Sequence, residues 1–192
     1  MSHSIMTEMT KMLLSKSFKK LLSKKPLNKI TVKDIVNDCK LTRQTFYYHF
    51  QDIYELLDWT YKNELGHLLN DPQNNNWEKA INGILNFIRE NKTMFSYTIQ
   101  AVGREHFEQA IYPDLYEFSK NKIKIKIISA EFDIPEDKIR FLANLQAITL
   151  ISVIIQWASN GMKVNPDEIV KMLDITINSA TVNVLKEYEA TN

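Results

Sequence analysis

With one cysteine in 192 residues, Cys39, the chain has no partner for an internal disulfide and too few thiols for a multi-cysteine zinc site, a usage that fits the reducing cell interior. Histidine is scarce as well. His3, His49, His67 and His106 show no metal-ligand spacing, and the four glycines form no phosphate-cradling loop. Glu105 beside His106 is the one adjacent acid and imidazole, and neighbours along a helix point apart. Neither a metal, another cofactor nor catalysis is expected. Long apolar runs are missing too: the most apolar stretch, Ala147 to Ala158, is interrupted by Thr149, Ser152 and Gln156 and falls short of the roughly 18 residues a membrane span needs. Met1 to Lys11 lacks the apolar stretch of a secretory signal. A soluble, cytoplasmic protein without a membrane partner is the expectation.

Only five prolines punctuate the chain, and Pro26, Pro72, Pro113, Pro135 and Pro166 separate long proline-free stretches, as in a helical protein. A hydrophobic content of 44% suffices for a packed core. From about Ile5 to Ser23, Met9 with Leu13 and Leu14 with Phe18, Leu21 and Leu22 recur at helical spacing. Thr31 and Asp34 form a capping pair for a short helix to about Cys39, and a second short helix runs from Thr42 to about His49. Asp52 with Glu55 caps a longer one carrying Ile53, Leu56, Leu57, Tyr61, Leu65 and Leu68, which stops at Asn70, Asp71 and Pro72. After a polar loop, Gln73 to Asn76, helices are expected at Trp77 to Asn91, Phe95 to about Gly103, and about Phe107 to Phe132, the last broken or kinked near Pro113. Pro135 opens a helix that is apolar on nearly every side from Phe141 to Trp157 and ends at Gly161. Asn165, Pro166 and Glu168 start a final helix whose stripe is Ile169, Leu173, Ile177, Ala180 and Val184. No segment alternates convincingly as a strand; Ile123 to Ile128 alternates with lysine inside a helical stretch. The expected fold is all-α.

The formal net charge of +1 conceals an asymmetry. Residues 1–50 carry ten Lys or Arg against Glu8, Asp34 and Asp38, a balance of +7, so the remaining 142 sum to -6. A basic end of this kind suits a polyanion; a solvated lysine-rich helix face is the plainer reading. The two short helices decide more. Joined by a turn at Lys40 and Leu41, they must cross steeply, with Ile35, Val36, Leu41 and Phe46 between them and Phe50 anchoring the exit. Outward then point Arg43, Gln44, Thr45, Tyr47, Tyr48 and His49, rich in hydrogen-bonding ends and free of carboxylates. That set suits the major groove, where Arg pairs with guanine, Gln with adenine, and a threonine methyl packs on that of thymine. Thr31 and Thr42 each begin a helix and can offer a hydroxyl to a phosphate.

The segment ITVKDIVNDCKLTRQTFYYHFQDIYELL resembles the N-terminal pattern of the TetR family of bacterial transcription regulators, tightly from Ile30 to Leu57. The resemblance implies an N-terminal three-helix DNA-binding head, residues 1–51, and a larger helical regulatory and dimerisation domain, 52–192, with a connecting helix at about 52–69. It makes Thr42, Arg43, Gln44 and Thr45 the base-facing start of a recognition helix, Tyr47, Tyr48 and His49 mostly backbone contacts, and Thr31 a phosphate ligand. Two positions depart from the family pattern. Lys40 stands at the usual turn glycine and must either adopt a left-handed conformation or re-form the turn; Ile53 stands where many members open the next helix with lysine. A module whose head no longer binds DNA would show such departures. A narrower likeness, carried by RQTFYYHFQDIYELLDW, FIRENKTMFSYTI and EHFEQ, points to the regulators of dihydroxyacetone kinase, some of which are activators answering to a protein coeffector.

One short recognition helix makes few base contacts, so a homodimer on a palindromic duplex is expected, with half-sites roughly 34 to 36 Å apart. Leu150, Ile154, Ile169, Leu173, Ile177 and Val184 are the expected dimer contacts; the same residues would also serve as ordinary core. Tyr97, His106, Phe107, Tyr112 and Trp157 are candidates to line a small-molecule effector site, although aromatics at helical spacing also fill cores. In such a family the effector would typically modulate a repressor.

Overall fold

The computed structural model describes residues 3–70 and 76–191. The expected break at Asp71 and Pro72, and the polar loop up to residue 75, lie outside the described residues.

Among those residues every element is helical: α1 (His3–Leu22), α2 (Val32–Asp38), α3 (Arg43–His49), α4 (Ile53–Asn70), α5 (Trp77–Glu90), α6 (Lys92–Ala130), α7 (Glu136–Ser159), α8 (Pro166–Leu173) and α9 (Ala180–Thr191). A 3-10 turn, Leu27–Lys29, precedes α2, and a π-helical turn, Asp174–Ser179, joins α8 to α9.

Two compact units divide the chain, one made of residues up to Glu64 with Asn91–Phe107, the other of Leu65–Glu90 with residues from Glu108 on. The first unit thus reaches beyond the helix-turn-helix into α4 and α6, and specific contacts explain why. Lys19 pairs with Glu64. Thr60 Oγ1 donates to Ser15 Oγ at 3.1 Å in the interior, and the Tyr61 hydroxyl donates to Thr98 Oγ1 at 3.0 Å. The Phe107 ring meets Tyr61 and Phe95 edge to face at 5.2 and 5.0 Å. Burial pushes the Tyr61 phenol well above its usual range, so it stays a neutral donor. On α1, Leu14, Phe18 and Leu22 are fully buried, whereas Met9 and Leu13 face solvent. The sequence contains two apolar lines on this helix, and the line with steps of four through Phe18 is the one that packs.

In α6 the helix is interrupted at Gly103 (φ 81°, ψ 163°), a conformation open to glycine, and runs on through Pro113. The boundary expected at about Gly103 is thus present, as a kink within one continuous helix, whereas the break expected near Pro113 is not. Pro113 sits on the exposed side while Ile111 and Leu115 beside it are buried, so packing holds the turns around the proline.

The second unit has a core of Ile123, Ile127, Ile134, Ile139, Leu142, Ala143 and Leu185. The stripe expected on the last helix is corrected after Leu173: Thr181 and Leu185 are buried, and Ala180 is exposed with Val184 half-buried. The π turn explains the shift, because its wider winding delays the buried face by one residue. Gln146 donates to Thr181 Oγ1 at 2.8 Å across that packing. The 24-residue α7 does contain an 18-residue window of mean hydropathy 1.6, long and apolar enough to cross a membrane, so the expectation from Ala147–Ala158 fails on composition. Half of that window is buried within the protein's own fold, as in a core helix.

Candidate nucleic-acid interface

The helix-turn-helix is built on α1. Phe18, Ile35 and Phe46 are completely buried, Val36 and Phe50 nearly so, and the Ser17 hydroxyl donates to the Ile35 carbonyl at 2.9 Å. The turn between α2 and α3 closes as a Schellman motif: the N–H of Leu41 donates to the Val36 carbonyl at 2.8 Å and that of Lys40 to Asn37 at 3.4 Å. Lys40 takes the left-handed conformation, φ 57°, at the position where glycine is usual. Of the two outcomes open in the sequence, strain and a re-formed turn, the turn is kept and the lysine strained. Lys40→Gly is accordingly expected to raise unfolding stability by about 1 kcal/mol, the left-handed penalty less the added unfolded-state entropy. Urea denaturation checks it, and a loss of stability would show the turn to be unstrained.

Thr42 caps α3: its Oγ1 accepts from the Thr45 N–H at 3.1 Å and lies 2.9 Å from the Thr45 hydroxyl. Beyond the cap, Arg43, Gln44, Tyr47 and Tyr48 are exposed, the tyrosines at 58% and 68% of full accessibility, while Thr45 and His49 are half-buried. Among the described residues Arg43 and Gln44 have no hydrogen-bond partner, which leaves their fork and amide for a ligand. Burial, then the nearby Lys11 ammonium, lowers the His49 pKa and favours the neutral imidazole.

At α2 the structure differs from expectation. Thr31 and Asp34 form a reciprocal box in which Thr31 Oγ1 accepts from the Asp34 N–H at 3.2 Å. Asp34 Oδ2 accepts from the Thr31 N–H and hydroxyl, each at 2.9 Å, and from Lys25 Nζ at 3.0 Å. The hydroxyl proton expected for a phosphate is therefore directed at Asp34. The Lys25 bond, then the two from Thr31, hold the Asp34 carboxyl down to about 2. Lys25 is a participant that sequence reasoning missed, because the pair spans a turn and leaves no periodic signal. At α4, Asp52 accepts from the Tyr54 and Glu55 N–H groups at 2.8 and 2.9 Å, and Ile53 is half-buried with Tyr54 exposed beside it.

Comparison with known families settles what this head belongs to. Residues 19–58 match the N-terminal model of the tetR family of bacterial regulatory proteins, and residues 75–179, more than half the chain, match a transcriptional regulator C-terminal region of the same family. The chain belongs to the TetR family. Its members are DNA-binding transcription regulators, not enzymes. A curated relative, the HTH-type dhaKLM operon transcriptional activator DhaS of Lactococcus lactis, is 33% identical over 87 residues, 45% of this chain and 46% of that protein. The match thus spans about half the length of the relative. The solved dihydroxyacetone kinase operon activator DhaS superposes with a TM-score of 0.63 at 22% identity, over 95% of this chain and 97% of that one. A TetR transcriptional regulator from Streptococcus agalactiae superposes at 0.56 and 21% identity, over 91% and 96%. The likeness to both structures is one of fold.

The other expected site residues of this TetR-family chain are dispersed. His106 Nε2 lies 3.0 Å from Asp58 Oδ1, Phe107 is buried among aromatic rings, and Tyr97 is half-buried, all in the first unit. In the second unit, Tyr112 donates to Asn144 Oδ1 at 2.7 Å and borders a cavity of about 310 Å³ with Ile148, Ile151 and Ser152. Trp157 Nε1 donates to the Val164 carbonyl at 2.9 Å and borders a separate groove. Leu150, Ile154, Ile169 and Leu173 lie inside the chain's own core, and Ile177 and Val184 are half-buried. The exposed apolar residues of α7 are Phe141, Leu145 and Ile148, which recur at four and three on one face.

Proposed function

We propose that this regulator binds a palindromic operator as a cytoplasmic homodimer and represses transcription, with a small molecule in its C-terminal domain setting the affinity. The observation that carries the reading is α3 on its buried Phe46 and Phe50 anchors, with Arg43, Gln44, Tyr47 and Tyr48 presented outward. In this assignment residues 1–51 are the DNA-binding domain and 52–192 the regulatory one. Thr42, Arg43, Gln44 and Thr45 read bases, Tyr47, Tyr48 and His49 hold the backbone, and Thr31 joins them only by turning its hydroxyl away from Asp34. Dimerisation uses the exposed α7 face of Phe141, Leu145 and Ile148 together with half-buried Ile177 and Val184, because exposed aliphatic and aromatic stripes of this kind are depleted on monomeric surfaces. The effector occupies the cavity beside Tyr112, whose volume lies at the small end of ligand sites. Preference of the ligand for one of two arrangements of the dimer then shifts operator affinity.

Arg43→Ala is expected to relax base preference and cost about 1 to 3 kcal/mol for each bidentate pairing with a base that it removes, without loss of fold, since Arg43 is exposed. Binding of the variant to a panel of single-base operator variants checks this; an unchanged preference removes Arg43 from the reading residues. Deleting the gene should raise transcription of its targets. A fall would instead support activation, the role that the relative DhaS carries in its name, and with it a protein coeffector acting on the second unit.

A further inference from the structure

The ten cations of residues 1–50 are not equivalent once their partners are known. Each of the three carboxylates in that segment is paired with a lysine: Glu8 with Lys11 at 3.8 Å, Asp34 with Lys25 at 3.0 Å and Asp38 with Lys20 at 2.5 Å. Lys19 pairs with Glu64. Lys16, Lys24, Lys29, Lys33, Lys40 and Arg43 make no ion pair among the described residues.

We infer that Lys25 is a positioning residue committed to Asp34, and that phosphate is neutralised by the five unpaired lysines instead, Arg43 being the one assigned to bases. This rests on the proposed DNA binding. A positive and a negative charge 3.0 Å apart present almost no net charge to a phosphate farther away. Asp34 cannot relinquish its charge, since its oxygen Oδ2 is held by Lys25 and by the N–H and hydroxyl of Thr31. Without Lys25 that carboxylate stands uncompensated beside Thr31, within the surface proposed to meet the backbone. The charge run of the sequence therefore overstates the number of phosphate contacts, and its paired members shape the surface that the others use.

The test measures affinity of the full-length protein for one duplex across a salt series, in wild type, Lys25→Met, Asp34→Asn, the double variant and Lys33→Met, with circular dichroism melts to confirm folding and Lys25→Arg as the charge-conserving control. Lys25→Met should weaken binding about fivefold at low salt, Asp34→Asn should strengthen it, and the double variant should return to within about twofold of wild type. The slope of log K against log salt should be unchanged in the double variant and reduced by about 0.9 per protomer in Lys33→Met. A double variant as weak as Lys25→Met, with the slope reduced by about 0.9, would make Lys25 a direct phosphate ligand and overturn the inference while leaving DNA binding intact. Wild type that fails to bind duplex DNA would overturn the functional reading itself.

Discussion

Phe46→Ala lowers the unfolding stability of the first unit by about 3 to 5 kcal/mol and abolishes DNA binding at temperatures where the wild type is folded. Phe46 is completely buried, its ring lies 5.9 Å from that of Phe50, and its backbone N–H closes the first turn of α3 onto Thr42. Removing the ring leaves a cavity where α1, α2 and α3 pack together, and relaxation offsets the loss only in part. Phe46→Leu should cost less, about 1.5 kcal/mol or under, because the volume is largely kept. Equilibrium urea denaturation of both variants decides the matter. If alanine proved as mild as leucine, the helix-turn-helix would be held by something other than this side chain.

A second large effect is expected from Leu145→Glu with Ile148→Glu. Both residues are about half exposed in the single chain, at 52% and 50%, so the carboxylates cost the monomer little. Facing their own copies across a two-fold interface, four added charges would be buried against one another, and association fails. Because a tethered pair of heads gains an effective concentration in the millimolar range, the monomer should bind the operator on the order of a thousandfold more weakly. Sedimentation of the variant reads the first half of the prediction and operator titration the second. A variant that stayed dimeric would move the interface to another surface.

How much of this was legible in the sequence follows from the range of the interactions involved. Caps at Thr31, Asp52 and Asn165 were readable because each is a local contact over two or three residues. The helix-turn-helix was readable for the same reason, and Lys40, standing where glycine is usual, marked the turn but left strain and a re-formed turn both open until its φ of 57° was known. Features set by packing were not. Leu150 and Ile154 fit a dimer face and a core equally well on a helix apolar on nearly every side, and only the packing of the chain shows that both are buried within it. The buried face of α9 slipped from Val184 to Leu185 because a π turn has no period that a regular helix template detects. The extension of the first unit through Tyr61, Thr98 and Phe107 joins residues 37 and 46 positions apart, and no local pattern signals such a contact. Lys25 escaped for a similar reason, since a charge run gives the number of cations and not their partners.

If this TetR-family chain reads a specific palindrome as a dimer through α3, the purified protein should select its own site from the genome. Selection of genomic fragments, followed by titration of the enriched fragment across a salt series, is the decisive measurement. An inverted repeat with half-sites about one helical turn apart, and affinity that falls steeply with salt, is the expected result. Failure to enrich any sequence, with or without cell extract, would contradict that reading and leave the basic head as an interaction surface of another kind.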